Sequence, residues 1–389
     1  MKLSRSILIL TFVLILKISV FSQTTFFEEI DLSPFDRGVT VEEIIESGFV
    51  ITGYTTADSV SNEDVLLIRT DLSGDTLWTK SFGGSGADFG WAVRQINGGG
   101  FILVGYTDSF GAGGMDIYLI RTDAAGDTLW TKTYGSTGDE YGWDVRITKD
   151  GGFIIAAQTN GIGNGEIDAY LIKTDSYGNE EWKTFYGGGK TDRVFSVQQT
   201  PDGGYVAVGI SYSFTSINSQ DRDVYLLKTN ASGKMEWFKT FGGDAYDVGH
   251  SVALTNDGGY IITGYGKSFT SNGTLDVYLI KTDADGGEEW SKVYGEDADE
   301  RGIKGYQTSD GEYVVVGFTA NHADLYLLKT DSQGEQLWTN NYGTPDRVEF
   351  GYTVRETSDG GFILTGHTQN FDQSNGTVLL IKTDSKGKQ

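Results

Sequence analysis

Short apolar runs separated by Gly- and Asp-rich turns recur along the whole chain, as at Val224–Thr229, Glu236–Phe241, His250–Thr255 and Tyr260–Tyr265. Runs of this length bounded by turn residues are typical of β-strands. We interpret these four runs as one repeating unit. Four strands per unit are typical of the blade of a β-propeller.

Two recurring phrases give the number of units. The phrase YLIKTD-x-x-G-x-x-x-W has its acidic or amide residue at seven positions, which are Asp71, Asp123, Asp175, Asn230, Asp283, Asp331 and Asp384. A second phrase, DGGYIITGYG in its clearest form, also ends at seven marks, which are Gly53, Gly105, Ala157, Gly209, Gly264, Gly317 and Gly366. Self-similarity of this kind indicates a repeat architecture and predicts seven blades.

The ends of the chain predict how the ring is closed. A Trp follows each of the first six acidic or amide positions by seven residues, but none follows Asp384. Phe26 precedes Gly53 by 27 residues, the interval that separates Trp78 from Gly105. We therefore expect strand Thr25–Leu32 to join the last blade, which removes the exposed sheet edges. The prediction is an all-β, seven-bladed propeller with four antiparallel strands per blade.

The same phrases resemble known propeller repeats. YLIKTD-x-x-G-x-x-x-W resembles the tryptophan-docking repeat of quinoprotein-like propellers, and the Gly-Gly-rich spacing resembles bacterial secreted β-propeller repeat proteins. The resemblance covers nearly all of the mature chain and implies strands A to D ordered from the axis outward. The turn is one residue shorter than the quinoprotein version, and no residues match quinone or calcium ligands, so quinone-dependent oxidation is not implied.

The N-terminus predicts export. Lys2 and Arg5 precede the apolar run Ile7–Leu16, and Val20 and Ser22 suit cleavage before residue 23. We expect a signal peptide over residues 1–22 and a single propeller domain over 23–389, placed in the periplasm, at the cell surface or in the medium. The chain has no Cys, so thiolate chemistry, Cys-based zinc sites and a lipid anchor at the cleavage point are not expected.

The net charge of the chain limits the classes of binding partner that we expect. The formal net charge is −24, and removing residues 1–22 takes away three positive and no negative charges, giving −27. An acidic surface repels phosphate backbones and anionic headgroups, so we expect neither nucleic-acid binding nor membrane insertion. Cations and neutral, sugar-like partners remain.

Loop lengths vary on one face only. The interval from the Gly mark to strand C runs from 7 residues (Gly317 to Asp324) to 14 (Gly209 to Asp223), whereas the C–D turn keeps one length. We place the binding site on the face of the B–C and D–A loops, because variable loops on a rigid frame commonly carry function. Drift in exposed loops is the alternative.

An acidic residue lies 17 positions before every Gly mark, at Asp36, Asp88, Glu140, Asp192, Asp247, Glu300 and Glu349. We call these seven the acidic ring. They are predicted to attract a cation or a polyhydroxyl ligand, and the alternative is that each bonds the backbone amides of its own D–A loop.

Three residues further along, the equivalent positions are Val39, Trp91, Trp143, Phe195, His250, Ile303 and Tyr352. We call these seven the axial ring. Aromatic faces beside carboxylates are typical of sugar-binding surfaces, so Trp91, Trp143, Phe195, His250 and Tyr352 are predicted to contact a ligand. The alternative is wedge packing between blades.

These features favour an exported, non-catalytic binding or scaffold propeller that presents this face to a glycan or an extracellular protein. The alternatives are a polysaccharide-acting enzyme using carboxylates of the same face and a purely structural role. We predict no cofactor and no catalytic residues. Calcium is kept as an alternative because the runs Asp297–Glu300 and Asp283–Asp285 have suitable chemistry without the full loop spacing.

Overall fold

A computed structural model describes residues 24–56, 62–215, 221–270, 273–320, 324–371 and 375–389. Within these ranges the chain forms 28 strands in seven four-stranded antiparallel sheets. The innermost strands of neighbouring sheets contact one another around a common axis, including the first sheet against the last. The predicted seven-bladed propeller is confirmed.

The strands run in chain order as follows. Blade 1 contains β2 (Asp36–Ile44), β3 (Gly48–Thr56), β4 (Glu63–Thr70) and β5 (Thr76–Phe82); blade 2 contains β6 (Asp88–Gln95), β7 (Phe101–Thr107), β8 (Asp116–Thr122) and β9 (Thr128–Tyr134); blade 3 contains β10 (Glu140–Ile147), β11 (Phe153–Thr159), β12 (Asp168–Thr174) and β13 (Glu180–Tyr186). Blade 4 contains β14 (Asp192–Gln199), β15 (Tyr205–Ser211), β16 (Asp223–Thr229) and β17 (Met235–Phe241); blade 5 contains β18 (Asp247–Leu254), β19 (Tyr260–Gly266), β20 (Asp276–Thr282) and β21 (Glu288–Tyr294). Blade 6 contains β22 (Glu300–Gln307), β23 (Tyr313–Thr319), β24 (Leu325–Thr330) and β25 (Gln336–Tyr342); blade 7 contains β26 (Arg347–Glu356), β27 (Phe362–Asn370), β28 (Gly376–Thr383) and β1 (Phe26–Ile30).

Strand order within a blade agrees with the order that the resemblance implies. The first strand of each blade, strand A, faces the axis, and the fourth, strand D, is the most exposed. One detail of the repeat differs from our interpretation. The runs Val224–Thr229 and Glu236–Phe241 belong to blade 4, whereas His250–Thr255 and Tyr260–Tyr265 belong to blade 5. The sequence unit therefore crosses a blade boundary. In a periodic sequence, four consecutive strands form a repeat unit wherever counting begins, so the repeat alone does not show where a blade starts.

The ring is closed by the N-terminal strand, as predicted. Strand β1 pairs antiparallel with β28, with Phe27 opposite Ile381 and Ile30 opposite Val378. The strand covers Phe26–Ile30, shorter than the predicted Thr25–Leu32. Blade 7 thereby receives its fourth strand from the start of the chain.

Aromatic residues on the outer strands lock each blade to the next. The Trp78 ring of blade 1 lies over Gly126 in the C–D turn of blade 2, where a Cβ would lie 2.7 Å from the ring. Gly126 also has φ of +80°, a conformation that glycine adopts without strain. Phe26 lies over Gly74 in the same way and closes the last joint. This packing explains the fixed spacing between the turn glycine and the tryptophan in the six repeats that have one.

The hydrophobic core lies between the blades. Val208 and Leu226 of blade 4 pack in one buried cluster with Ile262 and Ile280 of blade 5. Strands B and C are covered on both faces by neighbouring blades, so they are apolar without alternation. Burial of these side chains, at about 25 cal/mol per Å² of apolar surface, is the main stabilising contribution to the ring.

Candidate ligand-binding site

A β-bulge places the axial ring. In blade 2 the pairing of β6 with β7 shifts between Gly90 and Ala92, so Trp91 is the extra residue of the strand. Every blade has the same shift at the same position, and the extra residues are Val39, Trp91, Trp143, Phe195, His250, Ile303 and Tyr352. A bulge turns a side chain out of the regular alternation. These seven side chains consequently point to the axis.

They line a cavity of about 360 Å³ on the propeller axis. The next residue of each A strand also lines it and forms a second layer, which consists of Thr40, Ala92, Asp144, Ser196, Ser251, Lys304 and Thr353; Tyr265, Arg301, Phe318 and Phe350 complete the wall. A volume of this size lies in the range of small-ligand pockets. The predicted residues Trp91, Trp143, Phe195, His250 and Tyr352 therefore do come together at one cavity.

The aromatic wall is continuous through blades 2 to 5. Trp91 and Trp143 meet edge to face with ring centroids 4.8 Å apart, and Trp143 meets Phe195 at 5.9 Å. Phe195 then stacks on His250 at 5.2 Å. The rings pack against each other, as the wedge-packing alternative expects, yet each remains partly accessible from the cavity. Packing and ligand contact are thus compatible here.

His250 is neutral at ordinary pH. Burial and the nearby Arg222 and Arg301 lower the pKa of its imidazole to about 4. A neutral imidazole stacked on Phe195 extends the aromatic wall without adding charge.

The acidic ring is buried and faces its own loops. Asp192 accepts hydrogen bonds from the Gly188 amide at 2.7 Å, from the Ser213 hydroxyl at 2.6 Å and from the Ser211 hydroxyl. Asp36, Asp88, Glu140, Asp247 and Glu349 likewise bond donors in their D–A loops and neighbouring strands, and Glu300 bonds the Glu296 amide. A buried carboxylate requires such donors. This arrangement matches the loop-bonding alternative, so we place the ligand contacts elsewhere.

A second carboxylate lies beside the acidic ring at the start of strand C. Asp223 of blade 4 and Asp247 of blade 5 flank Gly242, where a Cβ would lie 2.4 Å and 2.7 Å from their oxygens. Burial and the neighbouring Asp247 and Asp221 raise the pKa of Asp223 to about 6. A protonated and an ionised carboxyl in one pair are the groups that a glycosidase uses. Both side chains are closed off from solvent, at 3% and 0% exposed, so in this arrangement they do not reach a substrate.

The sequence patterns did not identify the charged residues in the cavity wall and next to it. Asp144 receives the Arg94 guanidinium at 2.5 Å and Arg146 at 3.2 Å. Burial alone would raise the pKa of Asp144, but Arg146 and Arg94 lower it to about 2. Lys304 lines the same cavity from blade 6. The signal was present one and three residues after the axial ring, where only some blades carry a charge.

The calcium alternative rests on two acidic runs. Asp283 accepts the Asp285 and Gly287 amides at 2.9 Å and 2.7 Å, and Asp299 accepts the Leu275 amide at 3.0 Å. These carboxylates hold turns. Across the described ranges, no group of three or more His, Cys, Asp or Glu side chains is placed to hold a metal ion. The same part of the chain contains no helix of the length and apolarity needed to cross a bilayer.

Comparison with known proteins shows the fold. No protein-family model and no curated protein matches the chain. Among solved structures it is similar to puromycin hydrolase (13% identity, TM-score 0.55, 88% of this chain and 53% of that one) and to the polysaccharide lyase Uly1 (10%, 0.54, 90% and 90%). It is also similar to YCF48 bound to D1 peptide (13%, 0.51, 93% and 98%). The chain spans about half the length of the puromycin hydrolase it matches. These likenesses establish a β-propeller and nothing finer.

Proposed function

We propose that the protein is an exported, non-catalytic binding propeller that takes a segment of a glycan in its axial cavity. The observation that carries the proposal is the continuous wall of Trp91, Trp143 and Phe195 around a cavity of about 360 Å³. Sugar rings have apolar faces that pack on flat aromatic side chains, and Trp and Tyr add polar edges.

The second layer of the cavity suits the hydroxyl groups of a sugar. Thr40, Ser196, Ser251 and Thr353 line the cavity directly after axial-ring residues. A hydroxyl donates one hydrogen bond and accepts two, so it can bond a sugar hydroxyl in either sense. An apolar wall with a few convergent polar groups is the usual composition of a small-ligand pocket.

A protein partner and an enzyme are the competing proposals. A stable protein interface buries roughly 1,200–2,000 Å² of surface, which an axial cavity of this size does not offer by itself. The carboxyl pair of Asp223 and Asp247 is buried, which disfavours glycoside hydrolysis. Similarity to YCF48 bound to D1 peptide and to the polysaccharide lyase Uly1 keeps both classes open as outcomes of the test.

The test is binding of the mature chain, residues 23–389, to a glycan array followed by calorimetry on the hits. Trp91→Ala and Trp143→Ala should each weaken binding at least about fivefold, because truncating a buried aromatic contact costs more than about 1 kcal/mol. Tyr177→Ala removes an exposed aromatic on the opposite face and should leave affinity unchanged. Thermal melts of each variant separate loss of binding from loss of the fold.

Two results would count against the proposal. Unchanged affinity in both Trp variants would remove the aromatic wall from the site. Release of shorter sugars from a bound polysaccharide, lost on changing one carboxylate, would favour the enzyme.

A further inference from the structure

Basic side chains outnumber carboxylates in the wall of the axial cavity and in the layer of residues next to it. Four basic side chains and two carboxylates lie in the cavity wall or next to it, on five different A strands; they are Lys304, Arg94, Arg146, Arg355, Asp144 and Glu42. The whole chain has the opposite balance, with 54 acidic and 30 basic residues. The cavity thus lies beside a local excess of basic side chains in an acidic protein.

Both carboxylates are paired with arginines. Arg94 and Arg146 share Asp144, at 2.5 Å and 3.2 Å. Arg94 and Arg355 share Glu42, at 3.4 Å and 3.6 Å. Lys304, on the opposite side of the ring, makes no hydrogen bond or ion pair with any residue that the structure describes.

Lys304 is an unpaired amine in a confined place. Burial, followed by the positive charges of Arg355 and Arg94, lowers the pKa of its ammonium well below the usual range. Both effects destabilise the charged form. Asp144 partly offsets these effects, and an anion bound beside Lys304 would offset them further because it would add a second negative charge.

Three arginines outside the cavity wall also lack a carboxylate partner across the described ranges. Arg37, Arg193 and Arg222 have no carboxylate within 4 Å in the described part of the chain; Arg222 lies 3.5 Å over the Tyr246 ring and donates to the Tyr212 hydroxyl at 3.0 Å. Arg222 and Arg301 also lower the pKa of His250 in the wall, so the positive potential reaches the axial ring.

We infer that the axial cavity selects an acidic sugar, whose carboxylate or sulfate group binds at Lys304 while its apolar face lies against Trp91 and Trp143. The inference rests on the proposed glycan function and names the class of glycan. It also revises the expectation from net charge, because the local charge of the site is opposite to that of the chain. Carboxylate and sulfate share anionic oxygens, and the experiment tells them apart.

Binding should be linked to pH through Lys304. The charged or titratable groups that face it are Arg94, Asp144, Arg146, Arg355, Glu42, Arg301 and His250. The pKa values of Asp144, His250 and Arg146 are about 2, 4 and 10. A bound anion raises the pKa of Lys304 above its value in the free protein. Affinity for an acidic sugar should therefore be highest at low pH and fall as pH rises through the bound-state pKa, with proton uptake on binding.

The experiment is calorimetry on the mature chain with three oligosaccharides of equal length: an oligogalacturonate, a sulfated galactose oligomer and a neutral galactose oligomer. At least one acidic oligomer should bind at least about tenfold more tightly than the neutral one. Lys304→Met should remove this preference, whereas Lys304→Arg keeps it. Lys183→Met, which removes an exposed lysine on an outer strand, is the matched control.

Proton uptake gives an independent readout. Repeating the titrations in buffers of different ionisation enthalpy should show uptake with the wild type and the acidic sugar, and none with Lys304→Met. Loss of an unpaired buried cation should not lower the melting temperature, so a folded Lys304→Met variant is expected.

The failures are distinguishable. Equal affinity for neutral and acidic oligomers, both weakened by Trp91→Ala, would overturn the acidic preference and leave the glycan proposal standing. No binding of any oligomer would overturn both. If inorganic sulfate binds at Lys304 but none of the three oligosaccharides binds, both proposals would also be overturned.

Discussion

The acidic ring offers a quantitative contrast between two blades. Asp192→Ala removes the acceptor for the Gly188 amide and for the Ser211 and Ser213 hydroxyls; Ser211 is buried, and Gly188 and Ser213 are partly buried. A hydrogen bond to a charged group contributes about 1.5–3 kcal/mol, and the three bonds share one carboxylate, so we expect a loss of about 4 kcal/mol rather than their sum. With an unfolding entropy of about 2.1 cal/mol/K per residue, this lowers the melting temperature by about 5 °C.

Glu300 occupies the equivalent position in blade 6 and provides the matched control. Its carboxylate accepts only the Glu296 amide at 3.2 Å among the described residues, and burial and the nearby Asp276 raise its pKa. Glu300→Ala should cost about 1 kcal/mol or less.

The assay is urea unfolding of both variants, followed by glycan binding of the folded proteins. The structural role predicts a large stability loss in Asp192→Ala, a small one in Glu300→Ala, and unchanged affinity in both. Equal stability of the two variants, together with lost binding, would refute it. That result would support the original prediction that the acidic ring binds the ligand.

Three further predictions follow from the fold. Phe26→Ala should destabilise the propeller by about 2 kcal/mol and speed proteolysis at the N-terminus, because the half-buried Phe26 side chain packs over Gly74 between blades 7 and 1. Leu77→Ala, on the exposed outer strand, should change neither stability nor proteolysis. Gly126→Ala should lower the melting temperature clearly more than Gly151→Ala. Both glycines have φ near +80°, but a Cβ at Gly126 would meet Trp78, whereas one at Gly151 would meet open space. Equal losses of melting temperature would argue against the contact between Trp78 and Gly126. Asp223 has a pKa raised to about 6 from an unfolded value near 3.8, so between these values the folded protein holds a proton that the unfolded chain has lost. This group should therefore make the protein less stable as pH rises from about 4 to 6, by up to about 3 kcal/mol. The denaturant midpoints at pH 5 and pH 7.5 should differ less in Asp223→Asn than in the wild type.

The sequence was sufficient for the fold because the repeat leaves few alternatives. Seven glycine marks and seven turn phrases gave the number of blades, and the interval from Phe26 to Gly53 gave the closure. The turns are fixed by local chemistry: Asp175 accepts the Tyr177 and Asn179 amides at 2.8 Å, and Gly178 has φ of +74°. Such interactions are local and can be predicted from spacing.

The site was predicted only in part. The axial ring was found because it breaks the symmetry of the repeat, but its direction depends on a bulge that spacing alone does not reveal. Lys304 was missed because the charged residues that act on it, Arg94 and Asp144, lie on strands far from it in sequence. Net charge averages over a whole surface and says nothing about one cavity.

The most direct test of the axial site is a crystal structure of the mature chain with a bound acidic oligosaccharide. The account predicts density for a sugar ring against Trp91 and Trp143, with its acid group at the Lys304 amine. A sugar bound on the opposite face, among the C–D turns, or on the outer strands with the axial cavity vacant would contradict it.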